Sequence, residues 1–304
     1  MKIVSFNEKS PFLKVLRELQ GHIVGKNGKK ELHPCDNLTC LCISKVLFQK
    51  YEALFLQFNP KVEDNVTVKV HAEFSDQIPW GVESLGGTRL WRKGYGKGVR
   101  VAVIDTGIDR NHPDLRGQVK GRIHLVKGKI GGHGTHVAGI IAAAMNNRGI
   151  VGVSPQAELY DVKAFKANGT ARLFDIIRGI DWSIQNRMQV INMSFGMPEA
   201  SEALRRVIKK AHAAGIKMVA SAGNNGGAVE YPARFPQVIS VGALDQNGKL
   251  AEFSSRGKGL SVRAPGVKIY STWPGGRFRT LDGTSMAAAH VTGLTALKLA
   301  KKVD

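Results

Sequence analysis

From about residue 100 onward, the chain alternates short apolar runs with segments of helical periodicity. Five runs have the length and composition of buried strands, and they lie at residues 99–104, 158–165, 189–195, 217–223 and 237–243. Three helical patterns fall among them, at residues 135–145, 171–185 and 201–214. Buried apolar strands that alternate with helices are typical of parallel sheets covered on both faces. We therefore predict an α/β fold with a doubly wound, mostly parallel sheet.

The first 75 residues lack this alternation. A helical pattern near the start, SPFLKVLRELQ, is followed by segments that fit strands, or a helix between strands. The change predicts a small α+β unit at residues 1–74 and a large domain at residues 75–304. A chain of 304 residues is long enough for both.

Composition and charge exclude several classes of function. The hydrophobic fraction of 43% and charged fraction of 22% are those of an ordinary globular protein. The formal net charge of +20 raises the question of acidic partners, but the basic residues are scattered rather than gathered into runs with aromatics. We expect a solvated basic surface and no dedicated nucleic-acid binding. The longest apolar stretch, Val137–Met145, is shorter than the about 20 residues that cross a bilayer, so we expect no membrane partner.

The N-terminal segment, MKIVSFNEKSPFLKVLRELQ, carries charges throughout and has neither an apolar core nor a small-residue cleavage site. It therefore does not have the pattern of an export signal. We expect a cytoplasmic location, with secretion as the alternative if the natural start lies upstream.

All three cysteines, Cys35, Cys40 and Cys42, lie within HPCDNLTCLC. Together with His33 they offer four soft ligands to zinc, but C-x4-C-x-C is not a usual zinc spacing. We expect ordinary reduced thiols, with zinc as the alternative.

Three separate segments carry the residue types that a hydroxyl nucleophile needs. Asp105 ends the predicted strand at residues 99–104, and ligands bind at that edge of open α/β sheets. His133, in GGHGTHVAG, lies at a predicted helix start. Ser285, in DGTSMAAAHVTG, lies in the first turn of a predicted helix, where free N–H groups stabilise negative charge. Each residue alone also fits a cap or turn, but together they supply nucleophile, base and orienting carboxylate.

Two further residues bear on this chemistry. Asn224 follows the predicted strand at residues 217–223, and its amide is placed to donate to the oxyanion that an attack by Ser285 creates. His136 lies three residues after His133, whereas the zinc-protease signature spaces its histidines by four and includes a glutamate, which is absent here. The histidine pair therefore does not predict a metal site.

The blocks VAVIDTGID, HGTHVAG, SAGN and GTSMA, in this order, resemble those of the subtilisin-like serine proteases, over roughly residues 77–301. The resemblance implies that Ser285 is the nucleophile, His133 the general base and acid, and Asp105 the orienting carboxylate. Asn224 is then the oxyanion donor. The implied reaction is hydrolysis of polypeptide substrates through an acyl-enzyme, by a monomer that needs no organic cofactor.

The resemblance also implies that substrates bind as extended strands along exposed edges of the enzyme. The residues that match the edges and the main side-chain pocket are Gly169, Ser194, Phe195, Gly196, Ala222, Gly223 and Glu230. Relatives often have glycine or a small polar residue at the position of Glu230. We expect this glutamate to narrow the pocket or to favour a basic substrate residue.

Two more expectations depend on the same resemblance. Residues 1–74 loosely resemble the inhibitory propeptide of the family, which implies self-cleavage near Phe74–Ser75. The alternative is a permanently attached accessory domain. Many relatives bind calcium, and Asp114 and Asn146 match two of the ligand positions, although both residues also fit simple turns.

Three rival functions have less support in the sequence. An esterase-type serine hydrolase can use the same triad, but a dedicated α/β-hydrolase has the order Ser, Asp, His and a G-x-S-x-G motif. A dinucleotide module is disfavoured because the glycines of GYGKG precede a predicted strand instead of following it. The third rival is a catalytically inactive scaffold with the subtilase fold, but all four chemical residues are present.

Overall fold

The computed structural model describes residues 1–19, 31–67 and 75–300. The chain divides into two compact units, Met1–Ala72 and Glu73–Asp304. Within the described residues, no helix combines the length and the apolar character that a membrane span requires.

The first unit is a four-stranded antiparallel sheet with helices on its apolar face. Its strands, in the spatial order β2-β3-β1-β4, are β1 Lys2–Ser5, β2 Leu32–Cys35, β3 Cys40–Ile43 and β4 Lys61–Asp64. Its helices are α1 Lys9–Leu19, α2 Lys45–Lys50 and α3 Glu52–Leu56. Helix α1 buries Phe12, Val15 and Leu19, whose spacing of three and four residues places them on one helical face. These side chains join Leu41 and Phe55 in a core of this unit's own.

The three cysteines of this unit are free thiols. Cys35 and Cys40 are directly opposite each other across the β2–β3 hairpin, and Cys42 lies opposite His33. Across the described part of the chain, no group of three or more His, Cys, Asp or Glu residues is arranged to hold a metal ion. The free thiols agree with the expected reduced cysteines.

The second unit is built on a seven-stranded parallel sheet in the order β11-β10-β9-β8-β5-β7-β6. Its strands are β5 Arg100–Asp105, β6 Val119–His124, β7 Glu158–Lys163, β8 Val190–Met193, β9 Lys217–Ser221, β10 Val238–Leu244 and β11 Val262–Pro265. An antiparallel hairpin follows, with strands β12 Ile269–Trp273 and β13 Arg277–Leu281. The helices are α4 Trp80–Ser84, α5 Gly132–Ala142, α6 Leu173–Gln185, α7 Glu202–Ala213 and α8 Thr284–Leu299.

Helices cover both faces of this sheet. The side chains of each strand alternate between the faces, so each strand contributes to a core on either face. In β5, Val101 and Val103 join the core formed with α5 and α8. Ala102 and Ile104 join the core formed with α6 and α7. The arrangement confirms the predicted doubly wound, mostly parallel α/β fold.

The strand order places a crevice beside β5. From β5 the chain continues to β6 and β7 on one side and then to β8 on the other side. Ligands of open α/β sheets bind beyond the carboxyl ends of the strands at such a reversal. Asp105 is the last residue of β5, and Ser194 follows the last residue of β8, so both residues lie at this crevice.

Helix α5 packs closely on the hairpin through Gly139. A Cβ atom at this position would contact the hydroxyl oxygens of Ser271 and Thr272 and lie 3.0 Å from Cγ2 of Thr272. Neither hydroxyl is free to move away, because Ser271 donates to His136 O at 2.8 Å and Thr272 donates to Thr135 O at 2.7 Å. The helix approaches this strand only because residue 139 has no side chain.

Gly139→Ala is therefore expected to lower the free energy of unfolding by about 1–2 kcal/mol, because overpacking outweighs the better helix propensity of alanine. Chemical denaturation followed by circular dichroism measures the change. Lys209→Ala, at an exposed position of α7, is the control and should stay within about 0.5 kcal/mol of the wild type. An alanine variant as stable as the wild type would show that the hairpin can shift away.

Candidate active site

Asp105 and His133 form a hydrogen-bonded pair at the crevice. Asp105 is 3% exposed, and its Oδ1 accepts the backbone N–H of Thr106 at 2.6 Å. Nδ1 of His133, in the first turn of α5, lies 2.9 Å from both carboxylate oxygens of Asp105. Since the carboxylate accepts, Nδ1 carries the proton in the neutral ring and Nε2 is left as the basic nitrogen.

Gly134 permits the close approach of α5 to Asp105. A Cβ atom at this position would lie 2.6 Å from the carbonyl oxygen of Gly107 and 3.1 Å from Cβ of Asp105. Any larger residue would push the helix start away from the end of β5. The glycines around His133 therefore position the imidazole against the carboxylate.

Two opposing effects act on the pKa of His133. Burial lowers this pKa. The charge of Asp105 and the hydrogen bond to it raise it by more than burial lowers it, so the pKa lies above its ordinary value of 6.5. The carboxylate thus stabilises the imidazolium that a general base becomes when it accepts a proton.

His136 has a different role. It is fully buried on the same helix, and its Nε2 lies 2.9 Å from Arg279 O and 3.1 Å from Ile269 O. Burial lowers the pKa of His136 to about 4, so the ring is neutral at physiological pH. It links α5 to the hairpin.

Ser285 lies in the first turn of α8 and is 7% exposed. Its hydroxyl donates to Ser194 O at 3.1 Å, and the hydroxyl of Ser194 donates in turn to Ser285 O at 3.2 Å. The N–H groups in the first turn of a helix lack intrahelical acceptors, so they are available to a negative charge that forms at Ser285.

One cleft brings the predicted residues together. The residues that line it include Asp105, His133, Gly169, Ser194, Phe195 and Gly196. Because Ser194 O accepts the hydroxyl of Ser285, the serine lies at the edge of the same cleft. Asp105, His133 and both predicted substrate edges therefore meet in one cleft, to which Ser285 is joined through Ser194.

Asn224 is exposed beyond the end of β9, and its amide is held in one orientation. Its Oδ1 accepts the backbone N–H of Thr284 at 2.9 Å and the Thr284 hydroxyl at 2.8 Å. With Oδ1 engaged on Thr284, Nδ2 is left to donate to a ligand. The sequence reasoning did not identify Thr284 as the anchor of this amide, although it lies within the GTSMA block.

The residues predicted to line the main pocket for a substrate side chain also lie next to one another. The backbone N–H of Glu230 donates to Ala222 O at 2.9 Å. Its side chain lies between Gly196 and Gly223, close to the position of a Cβ atom on either glycine. Burial raises the pKa of the Glu230 carboxyl.

Asp114 and Asn146 lie together but outside this cleft. Asp114 is 1% exposed, and its carboxylate accepts the backbone N–H of Ile150 at 2.9 Å. Nδ2 of Asn146 lies 3.4 Å from Oδ1 of Asp114, and Oδ1 of Asn146 is buried without a hydrogen-bond partner. The structure adds Asp76, which the sequence reasoning missed, because its carboxylate accepts the backbone N–H groups of residues 146–148.

Comparison with known proteins identifies the family. The model of the subtilase family, peptidase family S8, matches residues 96–303. Subtilisin J of Geobacillus stearothermophilus and subtilisin E of Bacillus subtilis (strain 168) are each 46% identical over 241 residues, which are 75% of this chain and 63% of each relative. M-protease of Shouchella clausii (strain KSM-K16) is 36% identical over 309 residues, which are 97% of this chain and 80% of that protein.

The chain thus spans less than two thirds of the length of the two subtilisins. The family match nevertheless covers the segments that carry Asp105, His133, Asn224 and Ser285. It agrees with the four sequence blocks and with the parallel sheet on which these residues lie. The chain belongs to the subtilase family.

Proposed function

We propose that the chain is a serine endopeptidase that hydrolyses peptide bonds through an acyl-enzyme. The observation that carries the proposal is the hydrogen-bonded pair of Asp105 and His133, in which Nδ1 lies 2.9 Å from Oδ1. This pair lies in the cleft at whose edge Ser194 O accepts the Ser285 hydroxyl. A base, its orienting carboxylate and a hydroxyl nucleophile are the set that acyl transfer needs.

In the first half of the reaction, the Ser285 hydroxyl turns from Ser194 O to Nε2 of His133, which takes its proton as Oγ attacks the scissile carbonyl. Asp105 holds the ring in the tautomer that accepts this proton and stabilises the imidazolium. The oxyanion of the tetrahedral intermediate accepts hydrogen bonds from Nδ2 of Asn224 and from the backbone N–H of Ser285. Nε2 then donates its proton to the leaving amine.

The second half repeats these roles with water as the nucleophile. His133 removes a proton from water as the water oxygen attacks the acyl carbonyl. Collapse of the second tetrahedral intermediate releases the new carboxylate and returns the proton to Oγ of Ser285. The substrate is held by main-chain hydrogen bonds to the edges at Gly169 and residues 194–196, so polypeptides of varied sequence fit the cleft.

Labelling with a fluorophosphonate, together with hydrolysis of casein, tests the proposed function. We expect one covalent adduct per chain, located on Ser285 by mass spectrometry of peptides, and loss of casein hydrolysis in proportion to labelling. Hydrolysis of nitrophenyl esters without cleavage of casein would favour an esterase-type hydrolase. An unlabelled protein that cleaves neither substrate would favour an inactive scaffold.

Asn224→Ala is expected to lower kcat by about 10²-fold to 10³-fold, a range known from the equivalent donor of subtilisin itself, a member of this family. The loss arises because the oxyanion loses one of its donors while the substrate edges stay intact. Steady-state kinetics on a peptide amide should show little change in KM. Asn247→Ala, in an exposed turn, is the control and should match the wild type. A loss of less than threefold at Asn224 would remove it from the oxyanion site.

We propose that residues 1–74 are an inhibitory and folding segment that the enzyme removes near Phe74–Ser75. The division of the chain between Ala72 and Glu73 and the separate core of the first unit support this role. Phe74 itself lies outside the described residues. Mass spectrometry over time should show the wild type converting to a species that starts near Ser75, while Ser285→Ala stays full length. A wild type that stays full length while it digests casein would favour an accessory domain.

We further propose a structural calcium ion at Asp114 and Asn146. The buried Oδ1 of Asn146, which has no partner, and the adjacent carboxylate of Asp114 are the hard oxygen donors that calcium prefers. The ion would tie residues 146–150 to the segment after β5. A chelator should lower the unfolding temperature of the wild type but not that of Asn146→Ala. Equal unfolding temperatures of the wild type with calcium and with chelator would contradict the site.

A further inference from the structure

Glu230 occupies a fixed position between two segments at the carboxyl edge of the parallel sheet. Its backbone N–H donates to Ala222 O at 2.9 Å, in the segment that follows β9. The next residue, Tyr231, exchanges backbone hydrogen bonds of 2.8 and 2.9 Å with Met197, in the segment that follows β8. Main-chain bonds on both sides therefore hold Glu230 where these two segments converge.

The same two segments hold the start of α8. Ser194 O, in the first segment, accepts the hydroxyl of Ser285. The N–H of Gly223, in the second segment, donates to the hydroxyl of Thr284 at 3.2 Å. Glu230 therefore lies on the two segments that also hold the proposed nucleophile.

A glycine lies on each side of the carboxyl group. A Cβ atom on Gly223 would lie 2.9 Å from Cδ of Glu230, and one on Gly196 would contact Oε2 directly. The carboxyl group thus fills space that side chains would otherwise occupy. Because neither glycine carries a side chain, the methylene groups of a long substrate side chain can pack on their backbone.

The carboxyl group of Glu230 accepts one side-chain hydrogen bond, and its donor is an uncharged amide. Nδ2 of Asn225 donates to Oε1 of Glu230 at 2.9 Å. Oδ1 of Asn225 is engaged by the N–H of Gly227 at 2.8 Å and the Ser255 hydroxyl at 2.9 Å, so the amide cannot turn. This network orients the carboxylate without neutralising its charge.

No Lys, Arg or His side chain in the described part of the chain forms an ion pair with Glu230. Arg234 lies over the Tyr231 ring, and Arg256 donates to three carbonyl oxygens. A partly buried carboxylate without a counter-charge favours a ligand that brings one.

We propose that Glu230 is a specificity-determining residue that selects lysine or arginine as the substrate residue whose carbonyl Ser285 attacks. The inference rests on the proposed function. The long side chain of either residue packs along Gly196 and Gly223 and places its cation on the carboxylate. Large apolar side chains are disfavoured because they would bury the same carboxylate without pairing it.

The test compares peptide nitroanilides that differ only in having Arg, Lys or Phe at the cleaved bond. The variants are Glu230→Gln, which keeps the shape and removes the charge, and Glu252→Gln at an exposed position as the matched control. Each protein is titrated with a fluorophosphonate so that rates refer to active sites. Circular dichroism verifies that each variant is folded.

We expect the wild type and Glu252→Gln to prefer Arg or Lys over Phe in kcat/KM by at least about tenfold. Glu230→Gln should lose about 10²-fold on Arg and Lys through a higher KM, with Phe unchanged or improved. The same ratio of Arg to Phe cleavage in the wild type and Glu230→Gln, with both proteins labelled and active, would overturn the inference while the protease function stands. A wild type that is neither labelled nor active on any of the three substrates would overturn the proposed function itself.

Discussion

Replacement of Ser285 by alanine is expected to lower kcat for peptide hydrolysis by about 10⁶-fold, the loss known for the nucleophile of subtilisin, a relative in the same family. The variant retains the Asp105–His133 pair and the substrate edges, but it has no oxygen to form the acyl-enzyme. Because this variant does not remove the proposed inhibitory segment at residues 1–74, the segment is cleaved off with a trace of wild-type enzyme that is then inactivated by a fluorophosphonate. A residual rate of about 10³-fold to 10⁴-fold over uncatalysed hydrolysis should then persist, because binding and the oxyanion donors still act on attacking water.

The measurement is the initial rate on a peptide nitroanilide at saturating substrate. Ser84→Ala, at an exposed position of α4 in the second unit, is the control for the chemical change and should leave kcat unchanged. Far-ultraviolet circular dichroism establishes that α8 still forms in the Ser285 variant. A variant that retains a tenth or more of the wild-type rate would show that another group is the nucleophile.

The parts of the fold that the sequence predicted are those set by local pattern. The predicted strand at residues 99–104 is β5, Arg100–Asp105, because five of its six residues are buried and apolar runs mark buried strands. Asp105 and Ser285 lie at the end of a strand and at the start of a helix, as predicted. These positions follow from sequence because strand ends and helix starts are local features.

The elements that were missed lack a strong local pattern. Strand β6 at the sheet edge alternates half-buried and exposed residues and includes basic ones, so it resembles a loop in sequence. The short strand β11 and the hairpin strands β12 and β13 are also absent from the prediction. Their pairing is decided by tertiary packing against α5 and β10 rather than by their own composition.

The contacts that refine the site join distant parts of the chain. Thr284 orients Asn224 across 60 residues of sequence, and Asp76 caps a turn about 70 residues away. The hydrogen bond from Ser285 to Ser194 spans 91 residues. Neither the periodicity nor the spacing of residues in the sequence indicates such pairs, so they become visible only in the folded chain.

Asp105→Asn is expected to lower kcat by about 10⁴-fold and to shift the acid limb of the pH–rate profile to lower pH. The wild-type base works only when His133 is neutral, and its pKa is raised above 6.5. Activity should therefore fall as the pH drops through a midpoint above 6.5 in the wild type. With asparagine the charge is gone while burial, which lowers this pKa, remains.

The midpoint for Asp105→Asn should therefore lie below that of the wild type, and its low kcat should persist at high pH. A deprotonated base does not restore the rate, because the amide of asparagine can also donate to Nδ1 and favour the tautomer that carries its proton on Nε2. Asp181→Asn makes the same chemical change on α6, outside the cleft, and should reproduce the wild-type profile. If Asp105→Asn kept the wild-type midpoint and lost only rate, the charge of Asp105 would not be what raises the pKa of His133.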